Sequence, residues 1–279
     1  MGKLERGKLH HRSHKMLILL IATLLSACGT STELTNNTAS DTVPRTPEGH
    51  PDFNGVWQAL TTASWNIQDH NAQKGVPAGQ GIVHGNEIPY QEWAAAQQQE
   101  NYQNRADLDP LHKCYLPGVP RIMYMPYPFR INQTSELTAI TFEYSHAFRW
   151  IWTNGTEHPE ALEFWMADSR GHWEGDTLVV SVADFNNQTW FDRAGNFHSE
   201  ELTLVERYSP MGPNHINYEV TVEDPKVFTR PWTMSTVLYR RLEENVQTLD
   251  YECLEFEEPF LPWDEVPVPG MPGPPEQQN

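Results

Sequence analysis

Residues 169–185 read SRGHWEGDTLVVSVADF, and this stretch decides the fold class. Two short segments flank the turn signal Glu174-Gly175-Asp176, and the second, TLVVSVADF, is rich in β-branched residues. Short segments of this composition, separated by turn residues, are typical of adjacent β-strands. The stretch therefore predicts two consecutive strands that are joined by a tight turn.

The same pattern continues through most of the chain after Arg121. The other strand-like segments are FRINQT (129–134), LTAITFEYS (137–145), AFRWIWT (147–153), ELTLVERYS (201–209), HINYEVTVE (215–223), TMSTVLYRRL (233–242) and NVQTLDYECL (245–254). About nine strands in sequence with short connections predict an all-β fold. A closed barrel leaves no exposed sheet edge. We therefore expect a single antiparallel β-barrel over residues 51–258.

One short helix interrupts this pattern. Residues from Tyr90 to about Arg105 contain good helix formers and follow Pro89, which suits a helix start. Its apolar face is thin and consists mainly of Trp93 and Ala96. We therefore expect a helix that lies on the surface of the barrel.

Two resemblances support a β-rich domain. Gly55-Val56-Trp57 resembles the G-x-W motif that opens the first strand of lipocalin-like (calycin) barrels, where the tryptophan closes one end. A longer series resembles a large, uncharacterised group of secreted bacterial proteins over residues 48–255. Its segments are GHPDFNGVW, CYLPGVPRI, EYSHAFRWIWTNG, RGHWEGDTLVVSVADFN, TWFDRAGNFHSEELTLVERY and VEDPKVFTRPWT. This second resemblance implies a secreted β-rich fold and no particular substrate.

The N-terminus predicts export and lipidation. Residues 1–27 combine basic residues, the apolar run MLILLIATLL and small residues, as in a secretory signal peptide. The tetrad LSAC at 25–28 resembles the lipobox of bacterial lipoproteins, which implies that Cys28 carries the lipid. An ordinary cleaved signal with an incidental cysteine is the alternative. Gly29 after the cysteine favours the outer membrane, facing the periplasm or the cell surface.

The overall charge narrows the range of partners. Nineteen basic and 37 acidic side chains give a net charge of −18. Without residues 1–27 the chain keeps 14 basic and 36 acidic residues, a net charge of −22. Such a chain repels phosphate backbones, so nucleic acid is not an expected partner. Residues 28–50 are polar and predict a flexible tether, and the proline-rich residues 259–279 predict an extended tail.

The cysteines divide into one anchor and one pair. With Cys28 assigned to lipid, Cys114 and Cys253 remain in an oxidising compartment. We expect a disulfide between them, and two buried free thiols are the alternative. Such a bond would also remove a thiol nucleophile from consideration.

Strand alternation suggests three candidate catalytic residues. The even positions from 140 to 152 are aromatic or aliphatic except for His146. Asp184 and Glu206 likewise continue the apolar faces of their own segments. If these faces point into a barrel, burial would shift the three pKa values toward those of a general acid and base. A turn at Ser145 and His146 would break this argument, and a strand end or a salt bridge could equally explain the two carboxylates.

Two groups of residues are candidates for ligand binding. Four aromatic residues share the His146 face and could line an apolar pocket, namely Phe142, Phe148, Trp150 and Trp152. Loops at the barrel rim carry the second group, which consists of His158, Trp190, Asp192 and His198. Aromatic rings there could stack on a sugar-like or aromatic ligand. No recognised metal, phosphate or dinucleotide motif is present, so we expect neither a metal site nor a cofactor.

These residues leave two functional hypotheses. One is a cofactor-free lyase, isomerase or hydrolase that acts on a small sugar-like or aromatic compound. The other is a non-catalytic lipocalin-like carrier or an envelope structural module. Convergence of His146, Asp184 and Glu206 within hydrogen-bond distance in one cavity would favour the enzyme.

Overall fold

The computed structural model describes residues 42–73 and 76–253. The predicted signal peptide, Cys28, most of the predicted tether and the proline-rich tail lie outside the described residues. Within the described ranges, no helix is both long and apolar enough to cross a membrane.

Nine strands form one closed barrel, in which each strand pairs with its neighbours in sequence and β9 pairs with β1. The strands are β1 (Gly55–Ala59), β2 (Phe129–Gln133), β3 (Leu137–Phe142), β4 (Phe148–Trp152), β5 (Asp168–Glu174), β6 (Thr177–Ala183), β7 (Thr203–Pro210), β8 (His215–Glu223) and β9 (Trp232–Arg240). This confirms the prediction of an all-β closed barrel.

One strand pair departs from the expected antiparallel pattern. Strands β4 and β5 are parallel, with Ile151 opposite Ser169 and Trp152 opposite Arg170. The other eight pairs are antiparallel. Strand directions cannot alternate all the way around a ring with an odd number of members, so one parallel pair is unavoidable. The connection 153–167 therefore returns the chain to the opposite end of the barrel.

The predicted elements differ from the observed ones at two places. Residues 245–253 do not form a strand, although Tyr251 makes one bridge to Tyr144. The ninth strand is instead the short β1. The predicted helix is present as α1 (Glu92–Gln103), followed by the single turn α2 (Arg105–Leu108). The buried side of α1 differs from the predicted apolar face, because Trp93 is 55% exposed and Ala94 is buried.

The first strand places Trp57 in the hydrophobic core. Trp57 is buried, donates from Nε1 to the Phe53 carbonyl oxygen at 2.8 Å, and lies under the Arg240 guanidinium at 4.2 Å. Gly55 has a φ of +134°, and a Cβ there would lie 2.6 Å from Arg240 Nη1. Glycine is therefore required beside this tryptophan. The lipocalin-like resemblance itself stays a prediction.

The last part of the predicted tether, residues 45–50, packs on the barrel. Arg45 pairs with Asp176 in the β5–β6 turn at 2.5 Å, and His50 stacks on Trp173 with ring centroids 4.5 Å apart. Residues 45–50 therefore contact the barrel rather than only leading to it.

The long connections gather at the upper end, where β1, β6 and β8 finish. Residues 60–73, 76–128, 184–202 and 224–231 together form what we call the upper cap. The cap contains α1, α2 and three 3-10 turns at His84–Asn86, Pro110–Lys113 and Arg121–Tyr124. The predicted disulfide is present between Cys114 in the cap and Cys253 after β9, with Cα atoms 5.5 Å apart.

Candidate functional site

The three predicted catalytic residues lie in three different places. His146 is in a turn, with a φ of 50°, and its side chain is 56% exposed. Its Nε2 lies 2.7 Å from Glu252 Oε2. The prediction that it breaks an inward aromatic face is wrong, because the turn at Ser145 and His146 ends the alternation.

The same turn reverses the face of the next strand. Beyond it, Arg149 and Ile151 point inward and are buried, while the three aromatic residues between and beside them are exposed. The inward placement predicted for Phe148, Trp150 and Trp152 is therefore wrong, and only Phe142 is buried as expected. The three outer rings form a ladder, with neighbouring centroids 5.8 and 6.5 Å apart.

Glu206 does lie inside the barrel, but as part of a closed network. Both of its carboxylate oxygens accept hydrogen bonds from Arg149, at 3.0 and 2.5 Å, and Oε1 also accepts from Tyr218 Oη at 2.5 Å. Arg149 donates further to Tyr208 Oη and Ser169 Oγ. The predicted partnership of Glu206 with His146 is wrong, because the hydrogen-bond partners of Glu206 are Arg149 and Tyr218.

The electrostatics of this network favour fixed charges. Although burial opposes its charge, the Glu206 carboxylate raises the pKa of Arg149. Burial and the same carboxylate raise the pKa of Tyr208 and Tyr218. Arg149 and the two tyrosine hydroxyls therefore keep their protons near neutral pH. The pair fills the middle of the barrel with satisfied hydrogen bonds, as a buried charge requires.

Asp184 lies at the outer wall, beyond the end of β6. It has a φ of 62°, and burial raises the pKa of its carboxyl. Its Oδ2 has no hydrogen-bond partner. It lies near His158 and Asp168 and takes no part in the hydrogen-bond network of Glu206. The predicted catalytic trio therefore does not assemble.

Asp184 and its neighbours His158 and Asp168 resemble a set of metal ligands in their geometry, because their donor atoms lie close together. Within the described ranges, His158, Asp168 and Asp184 are the one group of three whose donor atoms all lie within 4.8 Å of one another. Both Asp168 oxygens already accept from the Arg170 guanidinium, at 2.6 and 2.9 Å. A cation held here would face that positive charge, so the donor set suits a metal poorly.

The remaining predicted rim residues belong to the upper cap. Asp192 is buried and accepts from the Ile67 N–H at 2.8 Å and from Asn196 Nδ2 at 2.6 Å. Burial raises the pKa of Asp192 to about 6. His198 is buried against Thr189 Oγ1 at 2.7 Å, and burial lowers its pKa. Asp192 and His198 thus hold the cap together, while Trp190 is half-buried beside them and bridges to Phe197.

Asp192 positions one wall of a cavity in the cap. The cavity has a volume of about 510 Å³, which is large enough for a small organic ligand. Its lining comes from the segments around Trp65, α1, α2 and Arg193. The described residues that line it are Trp65, Asn66, His70, Gln73, Val76, Tyr102, Gln103, Arg105, Ala106, Asp109, His112, Arg193 and Ala194.

The described side chains that line the cavity include more unpaired guanidinium groups than unpaired carboxylates. Its one described carboxylate, Asp109, is buried and accepts twice from Arg121 at 2.9 Å. Arg193 and Arg105 have no carboxylate partner among the described residues. Their guanidinium groups instead lie over aromatic rings, Arg193 over Trp65 at 4.3 Å and Arg105 over Tyr102 at 4.4 Å. Burial, together with the charge of Arg121, lowers the pKa of Arg193.

His70 adds a hydrogen-bond acceptor to this cavity. Its Nδ1 lies 2.8 Å from the Gln68 carbonyl oxygen, so the proton of the neutral ring belongs on Nδ1. Nε2 is then an acceptor, and it is buried without a hydrogen-bond partner. His70 therefore brings an acceptor atom without a hydrogen-bond partner to the lining of the cavity.

The cavity residues were not predicted from the sequence. Trp65, His70, Tyr102 and Arg105 lie in or beside the long connection 60–128, where no alternation identifies an inward face. One signal was available, because a long connection inside a compact domain is commonly functional. The strand pattern does not predict that this connection contacts Arg193, because that contact forms only when the cap folds.

No protein-family model, no curated protein and no solved structure matches this chain.

Proposed function

We propose that this protein is an outer-membrane lipoprotein whose upper cap binds a small aromatic ligand with an anionic group. The observation that supports it most is the pairing of two guanidinium groups with two aromatic rings in one cavity. The predicted small-molecule ligand is kept in this proposal, but its position moves from the barrel interior to the cap. The interior is filled by the Arg149–Glu206 network and by buried apolar side chains.

An anion is favoured over a neutral ligand because of the local charge balance. Asp109 is neutralised by Arg121, which leaves Arg105 and Arg193 as the uncompensated charges of the cavity. The whole chain carries a net charge of −18, so this local excess of positive charge runs against the average. Charge-assisted hydrogen bonds contribute about 1.5–3 kcal/mol each, enough to select an acid over its neutral analogue.

Titration calorimetry with matched ligands tests this proposal. We expect 4-hydroxybenzoate and indole-3-acetate to bind more tightly than their uncharged amides by at least about tenfold, because only the acids pair with Arg193. Arg193→Gln should reduce that difference, and the double variant Arg105→Gln with Arg193→Gln should remove it. Arg230→Gln is the matched control, because Arg230 is exposed and pairs weakly with Glu87 at 3.7 Å. Equal binding of acids and amides by the wild type would contradict the proposal.

Acid–base catalysis is the second candidate function, and His70 is the observation that favours it. Its unpartnered Nε2 could accept a proton from a bound ligand, which would make the protein a cofactor-free lyase, isomerase or hydrolase. A carrier and an enzyme differ in turnover, so a His70→Gln variant that still binds the acids but loses any measured turnover would favour the enzyme.

The anchor rests on the sequence alone and has its own test. We expect the Cys28→Ser variant to move from the membrane fraction to the soluble fraction, because the variant has no thiol to carry the lipid. Fractionation and intact mass measure this result, and Ser26→Ala serves as a control that should leave lipidation unchanged. A Cys28→Ser protein that stays in the membrane fraction with unchanged mass would contradict the anchor.

A further inference from the structure

The outer wall of the barrel holds a second group of residues, separate from the cap cavity. His158 lies in the connection 153–167, which crosses this wall between β4 and β5. Its Nδ1 is 2.7 Å from Asp168 Oδ2, and its Nε2 is 3.0 Å from Ser181 Oγ. Two hydrogen bonds thus link a serine, a histidine and a carboxylate. We propose that Ser181, His158 and Asp168 form a hydrolytic site for esters, with Ser181 as the nucleophile.

The hydrogen bonds set the ring in the form that this chemistry needs. The Asp168 carboxylate can only accept a hydrogen bond, so the ring proton belongs on His158 Nδ1, which leaves Nε2 to accept the hydrogen bond of the Ser181 hydroxyl. The carboxylate itself is held by Arg170 Nε and Nη2, and its side chain is 10% exposed. His158 is 25% exposed. The acid is therefore fixed in place while the ring remains accessible from outside.

Ser181 lies at an exposed position of β6, where a substrate can reach it. Across the strands its neighbours are Trp152, Arg170 and Val205, in the order Trp152, Arg170, Ser181, Val205. Trp152 is 37% exposed and Val205 is 44% exposed. A neighbouring cavity of about 470 Å³ is lined by residues that include His158, Arg170 and Ser181. Val205 is thus adjacent to the nucleophile on one side, and Trp152 lies beyond Arg170 on the other, which suits an aryl or short acyl ester.

The reaction would follow the usual course of a serine hydrolase. Ser181 Oγ bonds to the ester carbonyl carbon while its proton moves to His158 Nε2. The ester C–O bond then breaks, and the leaving alcohol takes that proton. Water attacks the acyl-Ser181 ester in the same way and releases the acid. Arg170, the cross-strand neighbour of Ser181, has N–H donors that Asp168 and Thr156 do not use, and these can stabilise the oxyanion.

A second serine–histidine pair lacks a carboxylate partner among the described residues and serves as an internal control. His84 Nε2 lies 2.8 Å from Ser235 Oγ on β9, which is also a serine–histidine contact. No carboxylate of the described residues hydrogen bonds to the His84 ring. If the carboxylate is needed to orient the imidazole, Ser181 should react and Ser235 should not.

The test is covalent labelling of the full-length protein with a fluorophosphonate probe, followed by peptide mass spectrometry. We expect the label on Ser181, none on Ser181→Ala, and unchanged labelling of Ser235→Ala. His158→Gln should slow the labelling by about a hundredfold or more, the usual contribution of a general base. Hydrolysis of 4-nitrophenyl butyrate should follow the same order among the variants.

Several results would overturn this proposal. They are no labelling, labelling of a different serine, or equal labelling of Ser181→Ala. Loss of labelling on addition of EDTA would also overturn it, because it would assign His158, Asp168 and Asp184 to a metal instead. Ser181→Ala changes an exposed side chain, so its melting temperature should match that of the wild type and confirm that the variant folds. Binding of aromatic acids in the cap should be the same in all these variants.

Discussion

Replacing Arg149 with methionine should lower the free energy of unfolding by about 3–5 kcal/mol. The substitution leaves the Glu206 carboxylate buried in the barrel without the guanidinium that now neutralises it. Tyr218 can still donate to the carboxylate, but a hydroxyl does not balance its charge. Urea denaturation followed by circular dichroism measures the change.

Two further variants separate the buried charge from a general effect of losing an arginine. Arg207→Met removes an arginine whose side chain is 38% exposed and which pairs with Glu174 at 2.9 Å. That variant should lose less than about 1 kcal/mol, as exposed ion pairs do. The double variant Arg149→Met with Glu206→Gln should recover most of the loss, because no charge is then left unpaired. An Arg149→Met protein as stable as Arg207→Met would show that Glu206 is not buried as a charge.

Removing the disulfide should be the second large effect. Cys114 and Cys253 are 139 residues apart, so their bond closes a long loop in the unfolded chain. We expect the double variant Cys114→Ser with Cys253→Ser to lose about 4–5 kcal/mol, from the chain-entropy argument. The loss should be measured by urea denaturation under oxidising conditions.

A reductant provides the control for this prediction. Reducing the wild type should give the same loss, while the double variant should be insensitive to the reductant. Free-thiol labelling should find no thiol at Cys114 or Cys253 in the exported protein. Recovery of both thiols, or a wild type unaffected by reductant, would contradict the disulfide.

The strand pattern predicted most of the barrel because alternation is a local property. The segments around β2 to β9 were identified from residue types and turn signals alone. A strand was wrongly predicted at 245–254, where the composition is strand-like, while β1 was indicated only by the G-x-W resemblance because it is short. The single parallel pair was missed as well, because it follows from the number of strands in the ring and from no local pattern.

The candidate site was much harder to predict. The parity argument for His146 failed because Ser145 and His146 both take up left-handed backbone conformations, which end the alternation before β4. As a result Arg149 points inward and Trp150 points outward, the opposite of the prediction. Asp192 and His198 were predicted as ligand-binding residues, whereas the structure shows them buried in contacts within the cap, and the contact of Asp192 with Ile67 joins positions 125 residues apart.

The sequence by itself determined the class of fold, the pairing of the two cysteines and the surface position of the helix. These depend on residue composition, on local alternation and on a count of cysteines. Only the tertiary structure decided which face of β4 is buried, which residues line the cap cavity, and that Ser181 meets His158. The physical reason is that such contacts join segments far apart in the chain, such as Trp65 with Arg193, and their distances depend on how the barrel closes.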